Sequence, residues 1–354
     1  MENFVYIIGY QFERVHTGMI KWLLDWDNTE ISKTDKLTII ENFYKYSKKA
    51  MPFNLNHIDN ITCISEYSFG KRLKIDLVVK LELEKDKEHY LVMEMKVDSI
   101  PYEDQLKSTK NIFESNNIVN AKKTICADYF LLLFGSSFAC DSPGNRHDFS
   151  YLKLDDIISV FSGLTIKNYP YRDWIVSLEE ELKRYVDVKR NIELLPSDSI
   201  YNSNYWLKNN YRIYLPLFYY IYDDMRKHYL DRKKSWSIYS GINNPVMNWN
   251  GGWIGNDEFE LFWEFNYESF ILKMWIDKNK ISREQLNNMR EKLYPVCEKT
   301  SYQGVKTYRK YSEYNSIFKW DFDFKKMDFE EIAKTVDNDI LSIHSGLLKH
   351  IDET

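Results

Sequence analysis

Three charged side chains on two predicted β-strands are the residues best placed to do chemistry. Residues 75–80 and 90–96 are largely apolar runs separated by the polar turn 84–88, which predicts two adjacent strands. Asp76 interrupts the first run, and Glu94 and Lys96 lie in the second. Successive strand residues point to opposite faces, so Glu94 and Lys96 share a face, and pairing of the strands brings Asp76 close to both.

Two carboxylates beside an ammonium group can hold a divalent metal ion at a reacting phosphate. Mg²⁺ is bound by one or two carboxylates, together with substrate phosphates and water. A lysine can orient a water molecule or stabilise developing negative charge. In the alternative reading, Asp76 caps a turn and Glu94 pairs with Lys96 on a solvated strand face. The apolar neighbours of Asp76 and Glu94 favour the metal site, because a buried carboxylate needs a cationic partner.

The spacing of these residues resembles the catalytic signature of the PD-(D/E)XK nuclease superfamily. Residues 77–93 separate Asp76 from the run Glu94, Met95 and Lys96. The resemblance implies that Asp76 and Glu94 bind Mg²⁺ or Mn²⁺ and that Lys96 lies beside the attacking water. It also implies an α/β fold with a restriction-endonuclease-like mixed β-sheet core flanked by helices.

Helices on either side of these strands extend the resemblance, which covers about residues 10–190. Residues 13–25 predict an amphipathic helix, similar to the first helix of one bacterial branch. In that branch a Glu or Asp contributes to the metal site, and Glu13 is the matching residue. Gln105 begins the next helix and corresponds to a functional glutamine of some members. Thr109 stands where those members carry tyrosine, which leaves the role of Gln105 open.

Two further positions match the same branch less fully. Glu66 corresponds to an acidic residue that often precedes the catalytic aspartate. The alternative interpretation is that Glu66 is an ordinary solvated glutamate on the surface. Lys74 stands where the branch usually carries arginine. Neither position is therefore counted among the expected catalytic residues, which are Asp76, Glu94, Lys96, Gln105 and Glu13.

Composition restricts the classes of function. The chain has 354 residues and a formal net charge of −5, so a nucleic-acid partner must be held by a local basic patch. No apolar stretch of about eighteen residues occurs, and the start lacks the basic lead of a signal peptide, so no membrane association is expected. The four cysteines are scattered, which favours a reducing, cytoplasmic location and no structural zinc. Motifs for nucleotide hydrolysis are absent from the sequence.

The first part of the chain alternates predicted helices with strands, as α/β domains do. Helices are expected at residues 11–25, 32–50, 102–116, 154–161 and 174–188, and further strands at 61–68 and 129–134. In the last helix Glu179, Glu180 and Glu181 are expected to face outward. A nuclease-like domain over residues 1–190 is followed by a junction at 191–203.

The second part, residues 205–354, reads as an aromatic-rich α+β domain of unknown role in substrate selection or assembly. Residues 211–229 predict a helix with a kink at Pro216. Strands are expected at 236–240 and 259–265 around a turn-rich stretch at 243–255. Ser282 and Gln285 form a capping box for a helix over 282–293.

Aromatic and basic residues of the second part offer candidate contacts with nucleic acid. Tyr and Trp faces can stack on single-stranded bases, although most of these side chains are expected to fill a core. Trp249 and Trp253, in the glycine-rich turn, are the exposed candidates. The most basic local run could contact phosphates, but charge runs are usually solvated. It comprises Arg226, Lys227, Arg232, Lys233 and Lys234.

These expectations converge on a metal-dependent nuclease that hydrolyses phosphodiester bonds. DNA is favoured over RNA as substrate, and a homodimer is left open because duplex cutters with one site per chain often dimerise. The bacterial branch resembled is common among defence genes, which makes an anti-phage role an expectation. The alternatives are a nuclease-fold protein without activity that binds nucleic acid, and an interaction protein whose aromatic part binds a protein partner. An intact trio of Asp76, Glu94 and Lys96 argues against the inactive protein.

Overall fold

The chain folds into two compact units, Met1–Asp187 and Val188–Thr354. The structure is a computed structural model, and it describes residues 3–68, 74–85, 87–97, 103–121, 126–135, 148–186, 214–228, 230–231, 236–240 and 245–351. Both units combine a β-sheet with helices, so the expected combination of helices and a mixed sheet is confirmed for the first unit, and helices with a sheet for the second. None of the described helices is long and apolar enough to cross a membrane.

A mixed five-stranded sheet forms the centre of the first unit as far as it is described. Its strands lie in chain order, β1 to β5. The pairs β1–β2 and β2–β3 are antiparallel, whereas β3–β4 and β4–β5 are parallel. The strands are β1 (Ile58–Ser68), β2 (Lys74–Leu83), β3 (Lys87–Lys96), β4 (Cys126–Leu133) and β5 (Phe149–Leu152).

Helices cover both faces of this sheet. On one face α2 packs against β1, β2 and β3, while α5 packs against β4 and β5 and contacts α3 and α6. On the other face, Phe113 of α4 contacts the rings of Tyr90 and Tyr129. The helices are α1 (Phe4–Ile8), α2 (Glu13–Leu24), α3 (Lys33–Tyr46), α4 (Glu103–Ala121), α5 (Leu154–Phe161) and α6 (Tyr169–Val186).

The alternation of β3 explains why its two faces differ. Leu91, Met93 and Met95 belong to the buried apolar cluster shared with α2 and α5. The intervening positions, which include Glu94, face the side on which α4 lies. The period-two pattern read from the sequence therefore places Glu94 and Lys96 on one face of β3, as expected.

One expectation for the first unit is wrong, since Glu181 does not face outward. It is buried, whereas Glu179 and Glu180 are exposed as predicted. Trp174 and Ser177 are also buried, and a helix returns to the same face after three, four and seven residues. Glu181 therefore continues the buried stripe of α6. The run of three glutamates concealed this, because only the last falls on that stripe.

An antiparallel six-stranded sheet forms the centre of the second unit over the residues described, with the order β10-β11-β9-β8-β7-β6. Its core contains large aromatic side chains, among them Trp263, which stacks on Phe270 with ring centroids 5.4 Å apart. The strands are β6 (Trp236–Ser240), β7 (Pro245–Gly255), β8 (Phe259–Asn266), β9 (Ser269–Ile276), β10 (Val305–Lys306) and β11 (Tyr314–Asp321). The helices are α7 (Tyr214–His228), α8 (Arg283–Cys297), α9 (Phe329–Lys334) and α10 (His344–Ile351).

Helix boundaries in the second unit follow local capping chemistry. The hydroxyl of Ser282 accepts a hydrogen bond from the Gln285 backbone N–H, and the Gln285 side chain accepts one from the Ser282 N–H. The predicted capping box is thus confirmed at the start of α8. The described part of α7 runs without interruption from Tyr214 through Pro216 to His228.

The stretch predicted to be turn-rich is mostly a strand. β7 covers residues 245–255 and pairs with β6 and β8, with an irregularity between Trp249 and Ile254. Trp249 is only 4% exposed, so its assignment as an exposed contact is wrong. A Cβ on Gly251 would lie 2.6 Å from the Trp249 ring nitrogen, so this glycine allows the ring to pack against the bulge. Trp253 is 47% exposed, as predicted.

The basic run is only partly described. Arg226 and Lys227 both form ion pairs with Asp223, one helical turn earlier. Arg232, Lys233 and Lys234 lie outside the described residues, as does the junction at 191–203. Because two of its cations are already paired within α7, the described part of this run offers less free positive charge than its sequence suggests.

A buried polar network ties α3 to the start of β3 and β4. The Tyr44 hydroxyl donates to Asp128 at 2.6 Å, His89 Nε2 lies 2.9 Å from the same oxygen, and Lys49 Nζ is 2.6 Å from the other. Burial opposes ionisation of Asp128, but hydrogen bonds from these three groups lower the pKa of its carboxyl to about 2. The network therefore depends on an ionised Asp128.

We expect Asp128→Asn to lower the free energy of unfolding by about 2 kcal/mol at pH 7, because an amide cannot accept all three hydrogen bonds. A carboxyl with a depressed pKa stabilises the fold above its ordinary value of 3.8. That stabilisation disappears as the pH falls towards 2, so the difference between the proteins should shrink over this interval. Urea denaturation at several pH values measures it. Asp59→Asn, an exposed position on β1, is the matched control, and equal losses in both variants would contradict the assignment.

Candidate active site

The site lies where β2 and β3 separate. Their antiparallel register ends at the pair Leu77–Met93, so Asp76 and Glu94 occupy the next opposed positions beyond the ladder. Past this point β2 stays paired with β1 as far as Lys74, and β3 stays paired with β4 as far as Lys96. The two carboxylates therefore face each other across a gap that is held open by the outer strands.

The side chain of Asp76 bridges this gap. Its Oδ2 accepts a hydrogen bond from the Met95 backbone N–H at 2.8 Å, and the residue is half-buried. A backbone donor of β3 is thus satisfied by a side chain of β2 instead of by a ladder partner. This contact fixes the Asp76 carboxylate beside β3.

Glu94 is the most deeply buried acidic group of the site, with 1% of its surface exposed. Its Oε1 accepts a hydrogen bond from the Thr109 hydroxyl of α4 at 3.1 Å. Burial raises the pKa of Glu94 to about 8, and the negative charge of Asp76 contributes to the same shift. Ionised Glu94 is therefore unfavourable unless a positive charge is added nearby.

Lys96 is also buried, with 8% of its surface exposed, and its ammonium group lies 3.3 Å from Glu13 Oε1. Burial by itself lowers the pKa of Lys96. The negative charges of Glu13, Asp76 and Glu94 outweigh that effect and raise the pKa above its ordinary value. Lys96 is therefore expected to keep its positive charge inside the site. The burial of both side chains excludes the reading of Glu94 and Lys96 as a solvated surface pair.

Glu13 lies at the start of α2, and its carboxylate interacts electrostatically with Lys96 and Asp76. Burial raises the pKa of Glu13, Lys96 lowers it and Asp76 raises it. One turn later, the Thr17 hydroxyl donates to the Glu13 carbonyl and lies 3.1 Å from Met95 Sδ, which fixes α2 against β3. The described contact of the Glu13 carboxylate is an ion pair with Lys96.

Helix α4 contributes a residue that sequence reasoning did not select. Gln105, in its first turns, is half-buried and has no described hydrogen bond to the site residues. Thr109, four residues later on the same face, makes the contact with Glu94. The i, i+4 spacing from Gln105 is the signal in the sequence that points to Thr109, although the resembled family carries tyrosine at that position.

Glu66 and Lys74 lie outside the buried group. Lys74 Nζ is 3.0 Å from Glu66, and Arg14 is 2.7 Å from the same carboxylate, all on the exposed surface. Glu66 has a positive φ of 50° at the position of β1 that stands opposite Asp76. Its two cationic neighbours already balance its charge, so it is not positioned as a ligand.

The donor set suits a hard divalent cation that is completed by other ligands. Asp76 and Glu94 offer carboxylate oxygens, and burial of Glu94 beside Asp76 raises the pKa of Glu94, so an added cation would favour its ionised form. Among the described residues, no group of three or more His, Cys, Asp or Glu side chains is arranged to hold a metal ion. Two carboxylates would therefore need water or substrate oxygens, which is how Mg²⁺ is commonly bound.

Comparison with known proteins gives no further guide to this site. No protein-family model, no curated protein and no solved structure matches the chain. The arrangement defines a mixed-sheet α/β unit with two opposed carboxylates and a buried lysine at a split between strands. Its chemistry has to be inferred from that geometry.

We expect Glu94→Gln to stabilise the metal-free protein at pH 8 by about 1–3 kcal/mol. The folded pKa of Glu94 is raised from 4.5 to about 8, so the native state binds this proton more tightly than the unfolded state. Wild-type stability therefore falls as the pH rises from about 4.5 to 8, whereas an amide carries no such penalty. Melting temperatures in EDTA between pH 5 and pH 8 measure the effect.

The control for this experiment is Glu41→Gln, an exposed glutamate on α3. Its melting temperature should follow the wild type at every pH. A Glu94→Gln protein that is less stable than wild type at pH 8, or whose difference from wild type does not grow with pH, would contradict the described burial and charge of this site.

Proposed function

We propose that the first unit is a metal-dependent nuclease of the PD-(D/E)XK type. The observation that carries the proposal is the opposition of Asp76 and Glu94 at the end of the β2–β3 ladder, with Lys96 buried beside them. Glu94 is 1% exposed and lies beside a second carboxylate, that of Asp76. Such an arrangement costs folding free energy, and a site of this kind is expected where the charges have a chemical use.

Asp76 and Glu94 are the proposed ligands of Mg²⁺ or Mn²⁺. When bound, such an ion neutralises charge on the reacting phosphate and lowers the pKa of a coordinated water. Thr109 orients the Glu94 carboxylate through its hydroxyl, and the Met95 N–H orients Asp76. These two contacts prepare the ligands before substrate arrives, which reduces the reorganisation that catalysis requires.

Lys96 is the proposed partner of the attacking water and of the charged phosphate. Its raised pKa keeps it protonated, so it can donate hydrogen bonds and stabilise negative charge but cannot take a proton. Glu13 holds the ammonium group in place through their ion pair. Glu13 is therefore proposed as a positioning residue at the rim, and Gln105 as a neighbour of the substrate on α4.

The wider proposal follows from the resemblance described above. The mixed sheet with helices on both faces is consistent with a restriction-endonuclease-like core. A nucleic-acid substrate, DNA in preference to RNA, a cytoplasmic role in anti-phage defence and a homodimer remain parts of this proposal. They rest on the resemblance.

We expect Mg²⁺ or Mn²⁺ to support phosphodiester cleavage, and Asp76→Asn and Glu94→Gln each to reduce the rate by at least about 100-fold, because each removes one anionic ligand. Initial rates on duplex DNA, single-stranded DNA and RNA measure this, with Ca²⁺ and EDTA as inactive conditions. Glu88→Gln, an exposed position earlier on β3, should keep the wild-type rate.

Two results would contradict this assignment. One is full cleavage in excess EDTA, and the other is a folded Asp76→Asn protein that cuts at the wild-type rate. Metal-dependent binding of one panel member without cleavage would instead identify the inactive, nucleic-acid-binding alternative.

We expect Lys96→Ala to lose at least about 100-fold in single-turnover rate while keeping most of its metal affinity, since an ammonium group cannot bind a cation. The structure adds a qualification, because removing Lys96 leaves Glu13 without its described ion pair. The double variant Glu13→Gln/Lys96→Ala separates these effects. Lys87→Ala, exposed at the start of β3, is the matched control. Near-normal turnover of folded Lys96→Ala would remove the strongest reason to regard the unit as a nuclease.

A further inference from the structure

The second unit contains a cleft of about 300 Å³ that the proposed nuclease chemistry does not use. Three aromatic rings, two carboxylates and one amide line it. The lining residues are Trp253, Asn256, Asp257, Glu260, Trp275 and Tyr314.

Strand register brings the central lining residues together. Trp275 of β9 stands directly opposite Glu260 of β8 on one side and Tyr314 of β11 on the other. Directly opposed residues project to the same face of an antiparallel sheet and lie close enough to share a ligand. A carboxylate and two aromatic rings therefore form one continuous row across three strands.

Trp253 forms the end of the cleft on β7. Its ring stacks on Phe262 with centroids 4.9 Å apart and an interplanar angle of 13°. One ring face is thus covered and fixed in orientation, while 47% of the side chain remains exposed. Tyr314, at the other end, is 54% exposed. Two exposed aromatic side chains rim the cleft and leave it open to a ligand.

The turn between β7 and β8 is preorganised and carries Asp257. The Asn256 side chain accepts hydrogen bonds from the backbone N–H groups of Glu258 at 2.8 Å and Phe259 at 3.3 Å. Gly255, just before it, has φ 156°, and a Cβ there would lie 2.0 Å from the Phe259 carbonyl oxygen. Only glycine allows this close approach, so the shape of the turn is fixed by the sequence.

Charge decides which ligand the cleft suits. No Lys, Arg or His lines it, and within the described part of the chain neither Asp257 nor Glu260 forms an ion pair. Glu313 adds a third carboxylate nearby, which accepts a hydrogen bond from the Trp275 indole N–H at 3.1 Å and fixes that ring. Phosphate groups are therefore disfavoured here, whereas a cation meets carboxylates and the negative faces of aromatic rings.

The neighbouring row on the same face already contains this type of interaction. The Lys273 ammonium group lies 5.7 Å from the centre of the Phe262 ring and 2.9 Å from the Glu264 carboxylate. Phe262 and Lys273 are directly opposed on β8 and β9. A cation held between an aromatic ring and a carboxylate is thus a motif that this sheet uses internally.

We propose that the cleft is a binding site for a quaternary ammonium group. Trp253, Trp275 and Tyr314 provide the aromatic faces, and Glu260 and Asp257 provide the compensating charge. A quaternary ammonium group is large and weakly hydrated, and it donates no hydrogen bonds, so aromatic faces are its preferred surroundings. The group can belong to a free small molecule or to a trimethylated lysine of a protein. The proposal is independent of the nuclease assignment.

The test uses saturation-transfer NMR and calorimetry on the full chain. Choline is compared with 3,3-dimethyl-1-butanol, which has the same shape without the charge. We expect choline to bind at least about 10-fold more tightly, and more weakly as salt rises. A short peptide with trimethyl-lysine and its unmethylated counterpart form the second arm. Tighter binding of the methylated peptide than of choline assigns the site to a protein ligand, and the reverse assigns it to a small molecule.

Variants connect the binding to the cleft. Trp253→Ala should abolish measurable binding, Trp253→Phe should restore part of it, and Glu260→Gln should weaken it about 3- to 10-fold. Glu258→Gln, in the same turn but outside the lining, is the matched control and should bind normally. Since Trp253 is exposed, loss of folding is not expected, and melting curves verify this.

Four results would overturn the proposal. The first three are equal binding of choline and its neutral analogue, no binding of choline or of either peptide, and choline binding that survives in Trp253→Ala. Binding of single-stranded oligonucleotide that is lost in Trp253→Ala would also overturn it, and would assign Trp253 to base stacking.

Discussion

The first unit is organised around the cost of placing two carboxylates face to face in a poorly solvated gap. When both are ionised, Asp76 and Glu94 repel each other, and burial of Glu94 removes most of the water that would screen that repulsion. The fold offsets part of the cost with the Lys96 charge, the Thr109 hydroxyl and the Met95 N–H. The raised pKa of Glu94 indicates that these contacts do not offset all of it.

Each neighbouring element has a role that follows from this constraint. Beyond Leu77–Met93, the described residues of β2 pair only with β1 and those of β3 only with β4, which leaves the gap between Asp76 and Glu94. Helix α2 brings Glu13 to Lys96, and α4 brings Thr109 to Glu94. The opposite face of β3 is packed with apolar side chains, so the strand cannot turn to expose its charged residues without losing its core.

Local patterns determined what could be predicted from the sequence. The alternation around Glu94 and Lys96 and the Ser282–Gln285 capping box depend on residues a few positions apart, and both are confirmed. The Glu13–Lys96 ion pair and the Thr109 contact join residues far apart in the chain, so no local period reveals them. The expected exposure of Trp249 is wrong for a related reason. Its glycine-rich surroundings resemble a turn, and only pairing with two other strands shows that they form a bulged strand.

The two proposed sites illustrate how geometry selects between kinds of cation. Around Asp76 and Glu94 the donors are two opposed carboxylates, which suit a small, strongly hydrated ion that keeps some of its water. In the second unit, Glu260 lies beside Trp275 in a row of rings, so any cation there gives up water to aromatic faces. Only a weakly hydrated cation does so at low cost. Acidic residues alone therefore do not identify a metal site, since the groups beside them determine which positive charge is bound.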